Sequence, residues 1–187
     1  MKISNIVSYC CAILCMASAN RVQARDWLQF RGPGGAGVSQ EQGVPVNLSE
    51  SEIAWKSPLP GRGISSPLVI GDRLYVTASS GPEQDRLHVI CIKASDGSVL
   101  WERQFWATGR TMTHAKICVA TSTPCSDGRR IYAAFSSNDV LCLDLDGGLI
   151  WMRGLTRDYP NASNSLGMAS SPVVVDETVV FPVESDS

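Results

Sequence analysis

A chain of 187 residues with 44% hydrophobic residues and a formal net charge of −2 has ordinary globular composition, enough for one core or two small ones. The near-neutral balance provides no electrostatic basis for nucleic acid or a strongly charged membrane surface as partner.

Lys2 precedes an apolar run from Ile6 to Ala17 that is too short to span a bilayer. Small-residue cleavage patterns follow at Ala17-Ser18-Ala19 and Val22-Gln23-Ala24, so residues 1–24 read as a secretory signal peptide. The expected destination is the periplasm, the cell envelope or the medium, with no transmembrane segment after cleavage. Lipidation at Cys15 is disfavoured by the bulky Leu14 before it. Export removes Cys10, Cys11 and Cys15 and leaves Cys91, Cys118, Cys125 and Cys142. In an oxidising compartment Cys118 and Cys125 are the pair a chain reversal brings together; the alternative is four buried thiols acting as small hydrophobes.

Residues 25–51 read as an extended N-terminal segment. Within it Gly32-Pro33-Gly34-Gly35-Ala36-Gly37 fits G-x-G-x-x-G letter for letter. No strand precedes it, proline interrupts it and no helical pattern follows, so the dinucleotide reading fails and a flexible entry segment is expected.

From Ser65 onward the chain repeats itself. SSPLVIGDRLYV, STPCSDGRRIYA and SSPVVVDETVVF each place a hydroxyl residue before proline, turn at Gly71-Asp72, Asp127-Gly128 or Asp176-Glu177, and continue into a second apolar run. Each predicts a strand, a tight reversal and a strand. After the first two come LHVICIKASDGSVLWERQF and DVLCLDLDGGLIWMRGL, which alternate apolar and polar, turn at Asp-Gly and end near tryptophan. The predicted strands are 66–70, 73–79, 87–93 and 99–105 in one unit, and 121–126, 130–136, 139–145 and 149–153 in the next. Trp55, Trp101 and Trp151 recur at intervals of 46 and 50 residues. Four-stranded repeats of that length are β-propeller blades. A β-sandwich would not require the same proline, turn and tryptophan in each unit.

The expected class is therefore all-β: a propeller of four-stranded antiparallel blades, incomplete in this chain. Its parts are a clasp strand over 52–57, blades over 65–105 and 121–153, and a half blade over 170–187, together making a partial propeller domain over 52–187. An open stack leaves strand edges and an apolar face unpaired. The chain thus reads as a fragment of a longer protein, and in isolation it is expected to self-associate.

The phrase D-G-x-x-x-W after a strand at Asp96-Trp101 and Asp146-Trp151, with S-S-P opening the next unit, resembles the PQQ-like repeat of quinoprotein-type β-propellers. DWLQFRGPGGAG, LPGRGISSP and THAKICVATSTPCSDGRRIY are similar to exported bacterial PQQ-like repeat proteins related to the BamB propeller. The resemblance implies that Trp55, Trp101 and Trp151 dock between adjacent blades. It also implies two further functional readings: a PQQ-dependent dehydrogenase holding PQQ and calcium, or an outer-membrane protein assembly factor. The dehydrogenases of this type hold PQQ against an adjacent cysteine pair, with a calcium ion and a catalytic aspartate. Here the only adjacent pair is Cys10-Cys11, inside the signal peptide, and no carboxylate and asparagine cluster matches a calcium site.

In a four-stranded meander the connections between blades are long and share one face, here 56–64, 106–120 and 154–169. Long loops on a rigid scaffold carry binding sites. These carry Arg62, Arg110, His114 and Lys116 as ligand-binding candidates, together with Arg157, Asp158, Asn161 and Asn164. Each has a structural alternative: loop-anchoring hydrogen bonds for His114 and Lys116, loop ties for the arginines, Asx turns for the asparagines. With only His88 and His114 available, the sequence suggests no nucleophile-base pair and no metal ligands. The expected role is a non-catalytic module that binds a protein, polysaccharide or small molecule through its long-loop face.

Overall fold

The computed structural model describes residues 26–162 and 166–183; the expected signal peptide and Asn164 lie outside them. Two four-stranded antiparallel sheets follow one another, each in simple meander order. The first comprises β1 (Leu68–Ile70), β2 (Arg73–Ser80), β3 (Arg86–Lys93) and β4 (Val99–Trp106). The second comprises β5 (Cys125–Ser126), β6 (Arg130–Ala134), β7 (Asp139–Asp144) and β8 (Leu149–Gly154). A single turn of helix, α1 (Leu155–Asp158), leads on towards the hairpin of β9 (Val173–Val175) and β10 (Thr178–Val180). Most strands lie within two residues of their predicted ranges. The exception is β5, where only two residues pair and the run from Thr121 is irregular.

The two sheets repeat at the level of register. Leu68, Tyr75, Cys91 and Trp101 pair across the first sheet, and Cys125, Tyr132, Cys142 and Trp151 across the second. Both have a bulge at the same place, Cys91–Ile92 and Cys142–Leu143, which leaves one extra residue on the outer strand just before the tryptophan. A bulge bends and twists its strand, so it re-aims the side chain beside it. The indole is thus directed off its own sheet and onto the next.

The main core lies between the two sheets. Leu68, Tyr75, Leu87, Val89 and Cys91 of the first face Ile131, Ala133, Phe135, Leu141 and Leu143 of the second, with Cys118–Ala120 from the connecting loop. The other side of the second sheet buries Cys125, Tyr132 and Cys142 against Val174, Val179 and Phe181 of the last hairpin. Strand alternation explains both faces: successive residues point to opposite sides, and blades stack on each side.

Trp101 shows how the stacking is fixed. Its Nε1–H donates to Leu145 O at 3.1 Å, and its ring covers Gly147, where a Cβ would stand 2.9 Å from the indole. Gly147 also has φ 85°, a conformation the turn requires and side chains resist. Tyr75 Oη (3.2 Å) and Arg73 Nη1 (2.9 Å) donate to the same carbonyl, while Arg73 also pairs with Asp146 at 2.7 Å. Arg103 Nε donates to Gly147 O at 2.7 Å. Four side chains of one blade therefore hold the Asp-Gly turn of the next.

Trp55 repeats the contact one blade earlier: Nε1–H donates to Ala94 O at 2.8 Å and the indole covers Gly97. The strand expected over 52–57 is absent, however. Residues 50–52 form a 3-10 turn and 53–59 run without strand pairing. A strand needs a neighbour for its amides and carbonyls, and among the described residues none lies alongside this segment. Its tryptophan anchors it to the first blade.

The glycine-rich entry segment is ordered by packing. Trp27 pairs antiparallel with Val69, and its indole lies where a Cβ on Gly32 would be 2.4 Å from the ring. Residues 33–35 make a 3-10 turn, with neither the preceding strand nor the following α-helix that dinucleotide binding needs.

Candidate functional site: the long-loop face

Three connections meet on one face of the stack. Residues 107–124 join the blades, 81–85 link β2 to β3, and the described residues 155–162 and 166–172 precede the last hairpin. They are tied by backbone and side-chain bonds. His114 N–H donates to Leu166 O at 2.9 Å, Met168 N–H to Ser136 Oγ at 2.8 Å, and Asn138 Nδ2 to Ala162 O at 3.3 Å. Asp139, fully buried at the start of β7, accepts Thr108 N–H at 2.9 Å, Thr108 Oγ1–H at 2.5 Å and Ser137 Oγ–H at 2.6 Å. That carboxylate pins the base of the loop that carries Arg110 to the second blade.

The candidate residues divide accordingly. Arg62 pairs by backbone with Ser79, and its Nη2 donates to Ala115 O at 3.2 Å, between His114 and Lys116. Arg62 thus acts as a loop tie and brings its charge to the same turn as the other two. His114 Nδ1 accepts Lys116 N–H at 3.2 Å, which leaves the ring proton on Nε2. Lys116 and Arg110 are exposed. Arg110 lies in the wall of a cleft of about 540 Å³ shared with Pro82, Glu83, Gln84, Met112 and Thr113. The cleft floor is held by Gln84, whose Oε1 accepts Ser79 Oγ–H at 3.1 Å and Val119 N–H at 3.2 Å. Of the other loop residues, Asp158 pairs with Arg153 Nε at 2.6 Å, while Arg157 and Asn161 are exposed.

One arrangement was not foreseen. Ser80 Oγ lies 2.7 Å from His88 Nε2, and His88 Nδ1 lies 2.7 Å from Glu102 Oε1. The sequence suggested no nucleophile-base pair, because these residues are distant along the chain. They are diagonal neighbours across β2, β3 and β4, since Ala78 pairs with His88 and Ile90 with Glu102. The order of contacts is that of a serine-histidine-acid relay. His88 is only 3% exposed, and the cleft does not include Ser80. The contacts serve to satisfy both ring nitrogens of a buried imidazole.

The thiols are structural. The four cysteines among the described residues are free and buried. Cys118 packs between the first two blades and Cys125 against the last hairpin, on opposite sides of the second sheet, so the expected pairing is not made. Burial pushes the Cys125 thiol up to about 12, with Asp127 adding to the effect, and that of Cys142 to about 11. Burial likewise raises Cys91. A neutral, buried thiol is inert. The native protein at pH 8 is therefore expected to resist alkylation by iodoacetamide at Cys91, Cys125 and Cys142, and to label fully in denaturant. Native labelling at any of the three, read by peptide mass spectrometry, contradicts the packing.

The described residues do not provide a PQQ and calcium site of the kind the resemblance implies. Among the described residues there is no adjacent cysteine pair, and no three of His, Cys, Asp or Glu stand close enough to hold a metal ion.

The family described as outer membrane protein assembly factor BamB matches residues 38–186. No curated protein matches the chain. Among solved structures, the chain is similar to quinohemoprotein alcohol dehydrogenase from Comamonas testosteroni, with TM-score 0.58 and 18% identity over 86% of this chain and 23% of that one. It is also similar to BamB from Moraxella catarrhalis, with TM-score 0.43 and 17% identity over 67% of this chain and 32% of that one. The chain spans less than a third of either structure. The meander blades, the repeated register and the likeness to the dehydrogenase give the fold as a β-propeller. With a family match over 38–186, the chain belongs to the PQQ-like repeat family of BamB.

Proposed function

We propose that this is an exported binding module that recognises a partner protein of the cell envelope through its long-loop face, without catalysis. The observation that carries this reading is the cleft beside Arg110. Its volume of about 540 Å³ lies within the roughly 300–1,000 Å³ of ligand sites. Arg62 and Lys116 on the neighbouring turn add positive charge against the single carboxylate of Glu83 in the cleft wall. Such a surface suits an acidic loop of a partner. The signal peptide read over 1–24 and the envelope association of the family support an envelope location. Among the described residues no helix is long and apolar enough to cross a membrane.

The assembly role named for the family supplies the partner class to test: the outer-membrane barrel-assembly machinery. Arg110→Glu combined with Lys116→Glu reverses charge at two exposed positions and should leave thermal stability unchanged. Capture of assembly components by crosslinking in the envelope is expected to fall about tenfold. Equal capture by wild type and variant rejects the long-loop face. Saturable PQQ binding with calcium, together with dye-linked alcohol oxidation, rejects the non-catalytic reading.

A further inference from the structure

The methionines among the described residues differ sharply in access. Met168 is 1% exposed and Met152 packs against the core between the blades, whereas Met112 is 56% exposed. Met112 also lines the cleft beside Arg110, and its Sδ accepts from Arg110 Nη2 at 3.8 Å. A thioether is a weak acceptor, so this contact leaves the guanidinium open to a stronger one.

The segment that carries both residues is fixed at each end. Before it, Thr108 is held by Asp139, and Gly109 lies so close to the Ser137 carbonyl that a Cβ there would collide with it. After it, Thr113 packs on Gly167, and His114 N–H donates to Leu166 O at 2.9 Å. Arg110 and Met112 therefore have little room to separate, and a change of chemistry at the sulfur is felt by the guanidinium.

We propose that Met112 is an oxidative modification site, and that its sulfoxide occupies Arg110 and closes the cleft to an anionic partner. The oxidant is a peroxide. The sulfur lone pair attacks one peroxide oxygen, and the S–O bond forms as the O–O bond breaks. The departing hydroxide takes up the proton and leaves as water; sulfur loses two electrons and the peroxide gains them. The product replaces a weak acceptor with a strongly polar oxygen, within reach of the group that the sulfur already touches. A charge-assisted N–H···O bond from Arg110 then competes with the partner's carboxylate for the same guanidinium. The apolar, adaptable thioether surface of the cleft wall is lost as well. Reduction of the sulfoxide restores it, so the change is reversible. The selective oxidation follows from exposure; the closing of the cleft rests on the long-loop face being the binding surface.

The test treats the native full chain with limiting hydrogen peroxide, quenches with catalase, and reads methionine oxidation by peptide mass spectrometry. Met112 is expected to convert about tenfold faster than Met168, with the difference lost in denaturant. The same samples are then added to envelopes and crosslinked. Oxidised wild type is expected to capture about tenfold less of the assembly components than untreated protein, and methionine sulfoxide reductase should restore capture. Met112→Leu, compared with itself before and after peroxide, should show no loss. Met112 oxidising no faster than Met168, undiminished capture by oxidised wild type, or equal losses in wild type and Met112→Leu overturns the proposal. If the long-loop face is not the binding surface, the untreated variant with Arg110→Glu and Lys116→Glu captures as well as wild type. The closing of the cleft then fails with that reading, while the order of oxidation still decides the modification site.

Discussion

Trp101→Ala is expected to lower the unfolding free energy by roughly 3–5 kcal/mol. An indole side chain buries about 150–250 Å², which at about 25 cal/mol per Å² sets an upper bound of roughly 4–6 kcal/mol for complete burial. Trp101 is only partly buried, but its truncation also removes the donor to Leu145 O and opens a void over Gly147. Tyr75, whose ring lies 5.9 Å from the indole, loses its tilted aromatic neighbour as well. Urea denaturation checks the value; a loss below about 1 kcal/mol is that of an ordinary surface residue and is incompatible with docking. Trp151→Ala should cost clearly less in this chain, since Trp151 has no Asp-Gly turn among the described residues to cover.

The second large effect is at Asp139. Asp139→Ala is expected to cost roughly 2–4 kcal/mol, because three donors lose a buried charged acceptor. Asp139→Asn should cost less, since one amide oxygen still accepts. Unlike Trp101, this residue links stability to the proposed function. Thr108, held by Asp139, stands two positions before Arg110, so Asp139→Ala should also weaken partner capture through the cleft. Unfolding by urea and envelope crosslinking on the same variant test both halves. A variant of native stability, or one destabilised with undiminished capture, argues against the linkage.

The parts of this structure that were legible in the sequence are those written locally. Alternation in LHVICIKA and DVLCLDL fixes the faces of β3 and β7, and Asp-Gly fixes where the chain reverses. The resemblance carried by the same spelling at Asp96-Trp101 and Asp146-Trp151 implied the docking, and the structure adds its atoms: two arginines and a tyrosine join the indole of Trp101 on one turn. What escaped depends on register between strands. The bulges before Trp101 and Trp151 leave no mark in composition. Ser80, His88 and Glu102 meet only because β2, β3 and β4 pair in a particular alignment. Asp139 reads as the polar first residue of the strand predicted over 139–145, and only the return of Thr108 shows it to be a buried anchor. The long-loop face was found from loop length, but Pro82, Glu83 and Gln84 of the cleft wall come from the short 81–85 connection, which length alone does not flag. The segment expected as a clasp strand over 52–57 has no strand pairing among the described residues for a related reason: an extended segment becomes a strand only beside a partner.

The central claim is that blades in this chain are locked by a tryptophan of one seated on the Asp-Gly turn of the next. A double-mutant cycle of Trp101→Ala and Gly147→Ala, measured by urea denaturation, tests it most directly. Gly147→Ala alone is strained by the φ of 85° and crowded by the ring, and removing the ring should relieve the crowding. The account predicts a coupling of about 1 kcal/mol or more; additivity within about 0.5 kcal/mol would contradict it.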